Sequence, residues 1–376
     1  MSDEKQKLSA PAVVQAEHLQ NIIELLNNDG FDVCGPTIRD RAVVYDHIRS
    51  VQDLPIGYTD QQENGSYRLN KGKRQHYFRY NLGPNSWKRF LYPPEKRLLH
   101  VSRDGSRLTL ADSEVDPPKY AFVGVRPCEL AAMSVHDRVL TEGEYRDPWY
   151  QQVRRQLLMV AVNCTRAGGT CFCSSMKTGP EAESGFDLAL TEVLDKKDHY
   201  FVVRTGTEAG EKILEAVPNR PATEDEINTA GEAVQKAASA MGRKLDTEGL
   251  SHLLKDRFDS PHWEELATRC LTCGNCTMVC PTCFCADMED STDLGGDNAY
   301  RARRWDSCFR VGFSYIHGGS IRSSEMSRYR QWMMHKLAYW PDQFGSFGCI
   351  GCGRCITWCP VGIDITEEAR LIRENG

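Results

Sequence analysis

Short apolar runs, separated by polar and turn-forming segments, characterise about the first two hundred residues of the chain. Four of these runs predict strands, because they are short, rich in β-branched or aromatic residues and bounded by turn signals. They are AVVYDHI at 42–48, YAFVGV at 120–125, LLMVAVN at 157–163 and FVVRT at 201–205. An apolar stripe over residues 12–28 predicts an amphipathic helix that ends before Gly30. The pattern therefore predicts an α/β or α+β domain over residues 1–206.

The pattern changes after this domain. The segment ATEDEINTAGEAVQKAASAMGRKL is rich in Ala and Glu and predicts a helical connector over residues 207–244. Further along, Ser260 followed by Pro261 is typical of a helix start, and the helix would run directly to Cys270. The last part of the chain, residues 245–376, is therefore expected to form a second, mostly α-helical domain.

Charge and hydropathy exclude several classes of protein. The net charge of −6 over 376 residues gives no general attraction to nucleic acid or to an anionic membrane. No apolar stretch reaches 18 residues, so we expect no membrane span. The first thirty residues lack the basic-then-apolar layout of a signal peptide, which favours a cytoplasmic location.

The sixteen cysteines change the picture most. In a chain that is not expected to be exported, they indicate metal binding rather than disulfides. Eight of them form two runs of the form C-x2-C-x2-C-x3-C-P, namely CLTCGNCTMVCP from Cys270 and CIGCGRCITWCP from Cys349. This spacing is typical of bacterial two-cluster ferredoxins, in which the fourth cysteine of each run binds the cluster of the other run.

The spacing therefore predicts two [4Fe–4S] clusters with crossed ligands. One cluster would be held by Cys270, Cys273, Cys276 and Cys359, and the other by Cys349, Cys352, Cys355 and Cys280. Zinc is the alternative, but it prefers two separated C-x2-C pairs around one ion and would leave several thiolates unused. The long spacer between the two runs makes residues 281–348 an insertion in a ferredoxin-like domain. Gly274 and Gly353 follow the second cysteine of each run and would let the backbone pass close to a cluster.

The remaining cysteines leave alternatives open. Four follow predicted strands and would hold a third [4Fe–4S] cluster or be buried structural thiols: Cys128, Cys164, Cys171 and Cys173. Three more would hold a cluster with a non-cysteine fourth ligand or pack beside the other clusters, and we favour packing: Cys283, Cys285 and Cys308. Cys34 is expected in the core.

A basic, aromatic segment over residues 301–336 carries a net charge of +6. Arginines interleaved with aromatic side chains are one way to bind single-stranded nucleic acid. We favour another interpretation, in which the arginines compensate anionic clusters and the aromatic rings exclude water from them.

Several motifs, in order along the chain, resemble one family. They are NLGPNSWKRFLYPP, VRPCEL, GGTCFCSSM, CGNCTMVCPTCFC, RRWDSC and CGRCITWCPVGIDI, and the resemblance covers residues 75–370. The set resembles the beta subunit of cytosolic NiFe sulfhydrogenases, and it is also similar to the A subunit of anaerobic sulfite reductases. The ferredoxin runs alone are common to many proteins, whereas the ordered set is far more specific.

The resemblance implies an electron-transfer subunit without a catalytic centre of its own. Its partners would be a flavin subunit that binds NAD(P) and the small and large subunits of a NiFe hydrogenase. The sequence agrees, since it lacks a G-x-G-x-x-G dinucleotide motif, a P-loop and an H-E-x-x-H motif. The alternatives are the same role in an anaerobic sulfite reductase and, in another class, a zinc-stabilised module that binds nucleic acid.

Overall fold

The computed structural model describes residues 10–112, 117–195 and 198–374. The strands are β1 Ala12–Gln15, β2 Asp32–Arg39, β3 Ala42–His47, β4 Tyr58–Glu63, β5 Ser66–Lys71, β6 Glu95–Asp104, β7 Arg107–Asp112, β8 Tyr120–Val125, β9 Leu158–Val162, β10 Leu188–Leu194, β11 His199–Thr205, β12 Arg220–Pro221, β13 Ala286–Thr292, β14 Asn298–Trp305, β15 Tyr315–Ile316 and β16 Gly319–Ser320.

The helices follow the same order. They are α1 Leu19–Asn28, α2 Lys88–Leu91, α3 Pro127–Leu140, α4 Pro148–Arg155, α5 Cys173–Met176, α6 Glu208–Glu215, α7 Glu224–Ser239, α8 Leu250–Asp256, α9 His262–Arg269, α10 Asn275–Met278, α11 Glu325–Met334, α12 Trp340–Phe344, α13 Arg354–Thr357 and α14 Ile365–Glu374. Short 3-10 turns occupy Ala16–His18, Val51–Asp53 and Val311–Ser314, and a π-helical turn occupies His335–Tyr339.

An eight-stranded mixed sheet organises the first part of the chain. Its strand order is β12-β1-β11-β10-β9-β8-β2-β3. The strands β10, β9, β8 and β2 run parallel, and the flanking pairs are antiparallel. All four predicted strands are present, as β3, β8, β9 and β11. This confirms a mixed α/β architecture with a sheet-rich N-terminal part.

The prediction of a helix over residues 12–28 is wrong for the first residues of this segment. Residues Ala12–Gln15 form β1, which pairs antiparallel with β11, and the α-helix starts only at Leu19. The apolar positions of Ala12, Val13 and Val14 are all buried, so they pack as a strand rather than as one face of a helix. Pairing with a distant strand overrides the local helical pattern here.

Each face of the sheet is covered by its own apolar core. One core packs α1 and α6 against the sheet around residues such as Ile23, Val160 and Phe201. The other packs α3 and α4 against the opposite face around Trp87, Phe122 and Tyr150. The parallel strands β8 and β9 are buried along their whole length, as expected for strands covered on both faces.

The second part of the chain is not confirmed as mostly helical. Helices α8, α9, α11 and α14 do build a third core around Trp263, Trp332 and Ile372. The insertion, however, begins with β13 and β14, and β14 pairs with β6 in a four-stranded sheet ordered β13-β14-β6-β7. Strands of the insertion thus pair with a hairpin of the first part of the chain, a long-range contact that sequence periodicity does not reveal.

A buried ion pair connects the two parts next to the cysteine loops. Arg354, on α13, pairs with Glu129 on α3, and both side chains are only 1% exposed. The Arg354 guanidinium also donates hydrogen bonds to the carbonyl oxygens of Gly83 and Asn85, each at 3.1 Å. Removing one partner of such a pair leaves the other charge buried without compensation.

We expect Arg354→Met to lower the free energy of unfolding by about 3–5 kcal/mol, because the Glu129 carboxylate loses its buried partner. Anaerobic urea unfolding followed by circular dichroism measures the change. The control is Arg370→Met, which removes the exposed pair with Glu374 and should change stability by less than about 1 kcal/mol. Equally small effects in the two variants would contradict the structural role of the buried pair.

Candidate iron–sulfur centres

The two cysteine runs fold in the same way. In each run the second cysteine is followed by a glycine with φ of +74°, at Gly274 and Gly353, and the glycine starts a short helix that carries the third cysteine. These helices, α10 and α13, contact each other. The sequence repeat therefore corresponds to a structural repeat, with the two runs facing one another.

The first cysteine set consists of Cys270, Cys273, Cys276 and Cys359. The sulfur of Cys276 interacts electrostatically with the sulfurs of the other three, although Cys359 belongs to the second run. All four line one cavity, which is closed by aromatic and aliphatic side chains such as Phe309, Tyr329 and Trp332. The structure thus brings the fourth cysteine of one run to the first three cysteines of the other.

The second cysteine set consists of Cys349, Cys352, Cys355 and Cys280. The sulfur of Cys355 interacts with those of Cys349, Cys352 and Cys280, the last of which belongs to the first run. Cys276 of the first set is also among its neighbours, so the two sets adjoin. Both groupings match the crossed ligand sets expected from the spacing.

Backbone N–H groups and one ammonium group point at the sulfurs. The N–H of Thr272 donates to Cys270 Sγ at 3.4 Å, that of Gly351 to Cys349 Sγ at 3.5 Å, and that of Ile363 to Cys359 Sγ at 3.3 Å. The buried ammonium of Lys336 lies 3.3 Å from Cys280 Sγ. Donors around sulfur stabilise thiolates and tune the potential of iron–sulfur clusters.

Burial makes these thiols weak acids in the metal-free chain. It raises the pKa of Cys349 to about 12 and holds the pKa of Cys276 and Cys355 well above the ordinary value. A metal binds the thiolate, so loading of the sites releases these protons. For Lys336, burial acts to lower the pKa, but the sulfurs of Cys280 and Cys283 outweigh it and raise the pKa.

The third cysteine set consists of Cys128, Cys164, Cys171 and Cys173, and the fold brings these four together. Cys128 lies in the first turn of α3 after β8, and the other three follow β9. The sulfur of Cys173 interacts with those of Cys171 and Cys164, and Cys128 has Cys173 and Cys164 as neighbours. The buried Arg126 guanidinium lies 3.9 Å from Cys164 Sγ. Neighbouring strand ends thus bring the four thiols near one another, and whether they bind a third cluster stays a prediction.

The third set adjoins the second through Cys352. Its sulfur interacts with Cys128 and Cys171, and the Cys171 sulfur lies 4.0 Å from the Cys352 carbonyl oxygen. A hydrogen bond of 2.8 Å from the Phe172 N–H to the Gly351 carbonyl joins the two loops. A Cβ on Gly353 would lie 2.3 Å from the Thr170 carbonyl oxygen, so this glycine is required for contact between the loops.

The spacing of the thiols distinguishes a cluster from a zinc ion. Zinc–sulfur bonds of about 2.3 Å in a tetrahedral site place the sulfurs about 3.8 Å apart. Within the described residues, three sulfurs of one set nowhere lie within 4.8 Å of one another. The wider arrangement, the N–H donors and the four thiols of each set fit iron–sulfur cubes better than single zinc ions.

Sequence reasoning missed one cluster of possible ligands. Cys34 is buried, as expected, but its sulfur also lies 3.7 Å from His47 Nδ1, which in turn lies 2.6 Å from Asp32 Oδ1. The three ligand atoms lie within 4.8 Å of one another. The antiparallel register of β2 and β3 pairs Cys34 with His47, and the sequence motifs do not predict this register.

The basic segment at 301–336 meets the expectation in part, because its side chains Phe309, Tyr329 and Trp332 line the cavity of the first cysteine set. Several of its arginines pair with carboxylates instead of approaching the sulfurs, for example Arg301 with Asp290 and Arg310 with Asp287. Lys336, the last residue of this segment, lies 3.3 Å from Cys280 Sγ, and cations from outside the segment also approach sulfurs, such as Lys88 near Cys283 and Arg126 near Cys164. No helix in the described part of the chain is long and apolar enough to cross a membrane.

Comparison with known proteins agrees with this geometry. Residues 269–363 match the family of 4Fe–4S dicluster domains. The chain therefore carries iron–sulfur clusters in its C-terminal part. It is also 29% identical, over 346 residues, to the sulfhydrogenase 2 subunit beta of Pyrococcus furiosus. The aligned region covers 91% of this chain and 92% of that protein. The similarity confirms the predicted resemblance to a hydrogenase beta subunit, whereas the resemblance to sulfite reductase stays a prediction. No solved structure matches the chain.

We expect Lys336→Met to make the reduction potential of the cluster predicted at Cys280 more negative by about 60 mV, equivalent to about 1.4 kcal/mol for one electron. The reason is that a nearby positive charge stabilises the more negative reduced cluster. A redox titration followed by EPR measures the shift. Lys255→Met, which removes the partly exposed pair with Asp342, is the control and should leave the potential unchanged. Identical potentials in wild type and Lys336→Met would show that the ammonium does not act on this cluster.

Proposed function

We propose that the chain is the iron–sulfur electron-transfer subunit of a cytoplasmic hydrogenase. It passes electrons between a module of small and large NiFe subunits and a flavin subunit that reacts with NAD(P).

The observation that carries this proposal is the continuity of the cysteine sets. The first set adjoins the second where Cys276 neighbours Cys355, and the second adjoins the third at Cys352. Neighbouring clusters in such an arrangement supply a path for single electrons.

The proposed ligands follow the three sets. The first cluster is held by Cys270, Cys273, Cys276 and Cys359, the second by Cys349, Cys352, Cys355 and Cys280, and the third by Cys128, Cys164, Cys171 and Cys173. The electrostatic neighbours of Cys276, Cys355 and Cys173 support these groupings. The protein loaded in this way contains about twelve irons, against about eight with the first two clusters alone.

The chain's own residues prepare the sites rather than perform chemistry on a substrate. The backbone N–H groups of Thr272, Gly351 and Ile363 donate to sulfur. Aromatic side chains around the first set, such as Trp332, keep water away. The clusters supply one-electron transfer when bound. The sequence contains no dinucleotide motif, which agrees with NAD(P) chemistry on a partner subunit.

Crossed ligation gives a specific prediction for two single variants. Cys280→Ala is expected to damage the cluster of the 349–355 run, and Cys359→Ala the cluster of the 270–276 run. EPR spectra and redox titrations of the anaerobic variants identify which signal is lost. If each substitution removes the cluster of its own run, the ligands are local and the crossed assignment is wrong.

Reconstitution tests the proposed function. The purified chain is combined with a flavin subunit and a NiFe heterodimer, and hydrogen-dependent reduction of NAD(P) is measured. We expect loss of nearly all activity when this chain is omitted, and no NAD(P) reduction by this chain alone, because it lacks both catalytic centres. An unchanged rate without the chain would refute the relay role. Coupling to a sirohaem sulfite reductase instead of the NiFe heterodimer would favour the alternative complex.

A further inference from the structure

Three cysteines outside the three sets lie together at the base of the insertion. They are Cys283, Cys285 and Cys308. The Asp306 N–H donates to the Cys285 carbonyl oxygen at 2.9 Å, which extends the pairing of β13 with β14 and returns the chain next to Cys285. The sulfur of Cys308 interacts electrostatically with that of Cys285, and Cys283 interacts with Cys285 as well. The fold thus gathers thiols from both sides of a strand hairpin.

Two buried lysines border these thiols. Lys88 and Lys336 are each 5% exposed, and within the described residues neither forms an ion pair with a carboxylate. The ammonium of Lys88 lies 3.0 Å from the Cys283 carbonyl oxygen and 3.9 Å from the centre of the Trp305 ring. The ammonium of Lys336 lies 3.3 Å from Cys280 Sγ and 3.1 Å from Thr282 Oγ1. A buried ammonium without an anion is unfavourable. The second cluster proposed at Cys280 supplies an anion for Lys336, whereas Lys88, which lies beside Cys283, indicates a further negatively charged occupant.

An unsatisfied imidazole lies at the same place. His136 is 1% exposed, and its Nε2 has no hydrogen-bond partner in the described part of the chain. Its ring packs edge-on against Phe284, the residue between Cys283 and Cys285, with the ring centroids 6.3 Å apart. A buried polar atom without a partner is rare and calls for an explanation.

We propose that Cys283, Cys285 and Cys308 hold a further iron–sulfur cluster, whose negative charge Lys88 and Lys336 compensate. This replaces our expectation that the three thiols only pack beside other clusters. Zinc fits less well. Within the described residues the three sulfurs do not all lie within 4.8 Å of one another, and this spacing is wider than a single tetrahedral zinc ion requires. The fourth ligand position is then filled by a group other than cysteine.

The location deepens the proposed relay and rests on it for its electron-transfer role. The sulfur of Cys283 interacts electrostatically with that of Cys280 in the second set, and Cys308 has Cys276 of the first set as a neighbour. The additional cluster therefore lies beside both ferredoxin-type clusters, on the side of the insertion. It gives electrons a second path out of the two ferredoxin-type clusters. This path is separate from the third cysteine set, which adjoins the second set at Cys352.

The test is metal analysis of the full chain, purified anaerobically, with EPR of the reduced protein. We expect more than about twelve irons per chain, with two to about four assignable to this site, and zinc far below one per chain. Cys308→Ala is expected to lose these irons and one EPR component while the spectra of the other clusters persist. Cys34→Ala is the matched control, because it removes a buried thiol that belongs to none of the proposed cluster sites, and its iron content should equal that of the wild type.

Three results would overturn the proposal. They are equal iron in Cys308→Ala and wild type, stoichiometric zinc that disappears in Cys308→Ala, and a disulfide between Cys285 and Cys308 in the anaerobic protein. If Cys308→Ala does not fold, the iron content of Cys164→Ala, in which the third set is disrupted, decides, since a value at or below about eight leaves no iron for this site. Each of these outcomes is compatible with a working relay in the reconstituted complex, so the failure of this proposal is distinguishable from the failure of the proposed function.

Discussion

Thiolates buried away from water carry a negative charge that must be compensated by hydrogen-bond donors or cations. Much of the structure around the cysteines supplies such donors and cations. Backbone N–H groups reach Cys270, Cys349 and Cys359 because the chain turns sharply after each of them. At Cys280 the donor is a side chain instead, namely the buried ammonium of Lys336. Lys88 and Lys336 are buried, and among the described residues neither pairs with a carboxylate. The clusters that we propose beside them would provide the compensating negative charge.

This constraint also links the two parts of the chain. The second set meets the third set through loops whose backbones touch, and this close approach depends on Gly353. Arg354, between two cysteines of the second run, pairs with Glu129, the neighbour of Cys128. Lys88 comes from the N-terminal part and borders the cysteines of the insertion. The sheet-rich part is therefore not a separate accessory domain but forms one wall of the cysteine region.

Much of the site could be predicted from local sequence, because cluster-binding runs encode their geometry in short spacings. The eight cysteines of the two runs and four of the eight strands of the large sheet are local signals of this kind. The gathering of Cys128 with Cys171 and Cys173 was also foreseeable, since residues that follow neighbouring parallel strands meet at one edge. What local sequence could not supply were contacts set by long-range pairing. The strand Ala12–Gln15, the pairing of β14 with β6, and the positions of Lys88 and Lys336 all depend on segments far apart in the chain.

The central claim is that the clusters lie side by side within this one chain. EPR of the fully reduced, isolated protein tests it most directly, because paramagnetic clusters that adjoin one another interact magnetically. The account predicts broadened, overlapping signals that simplify into a single well-resolved spectrum when only one cluster is reduced. A spectrum of the fully reduced protein that is a simple sum of narrow, non-interacting signals would contradict it.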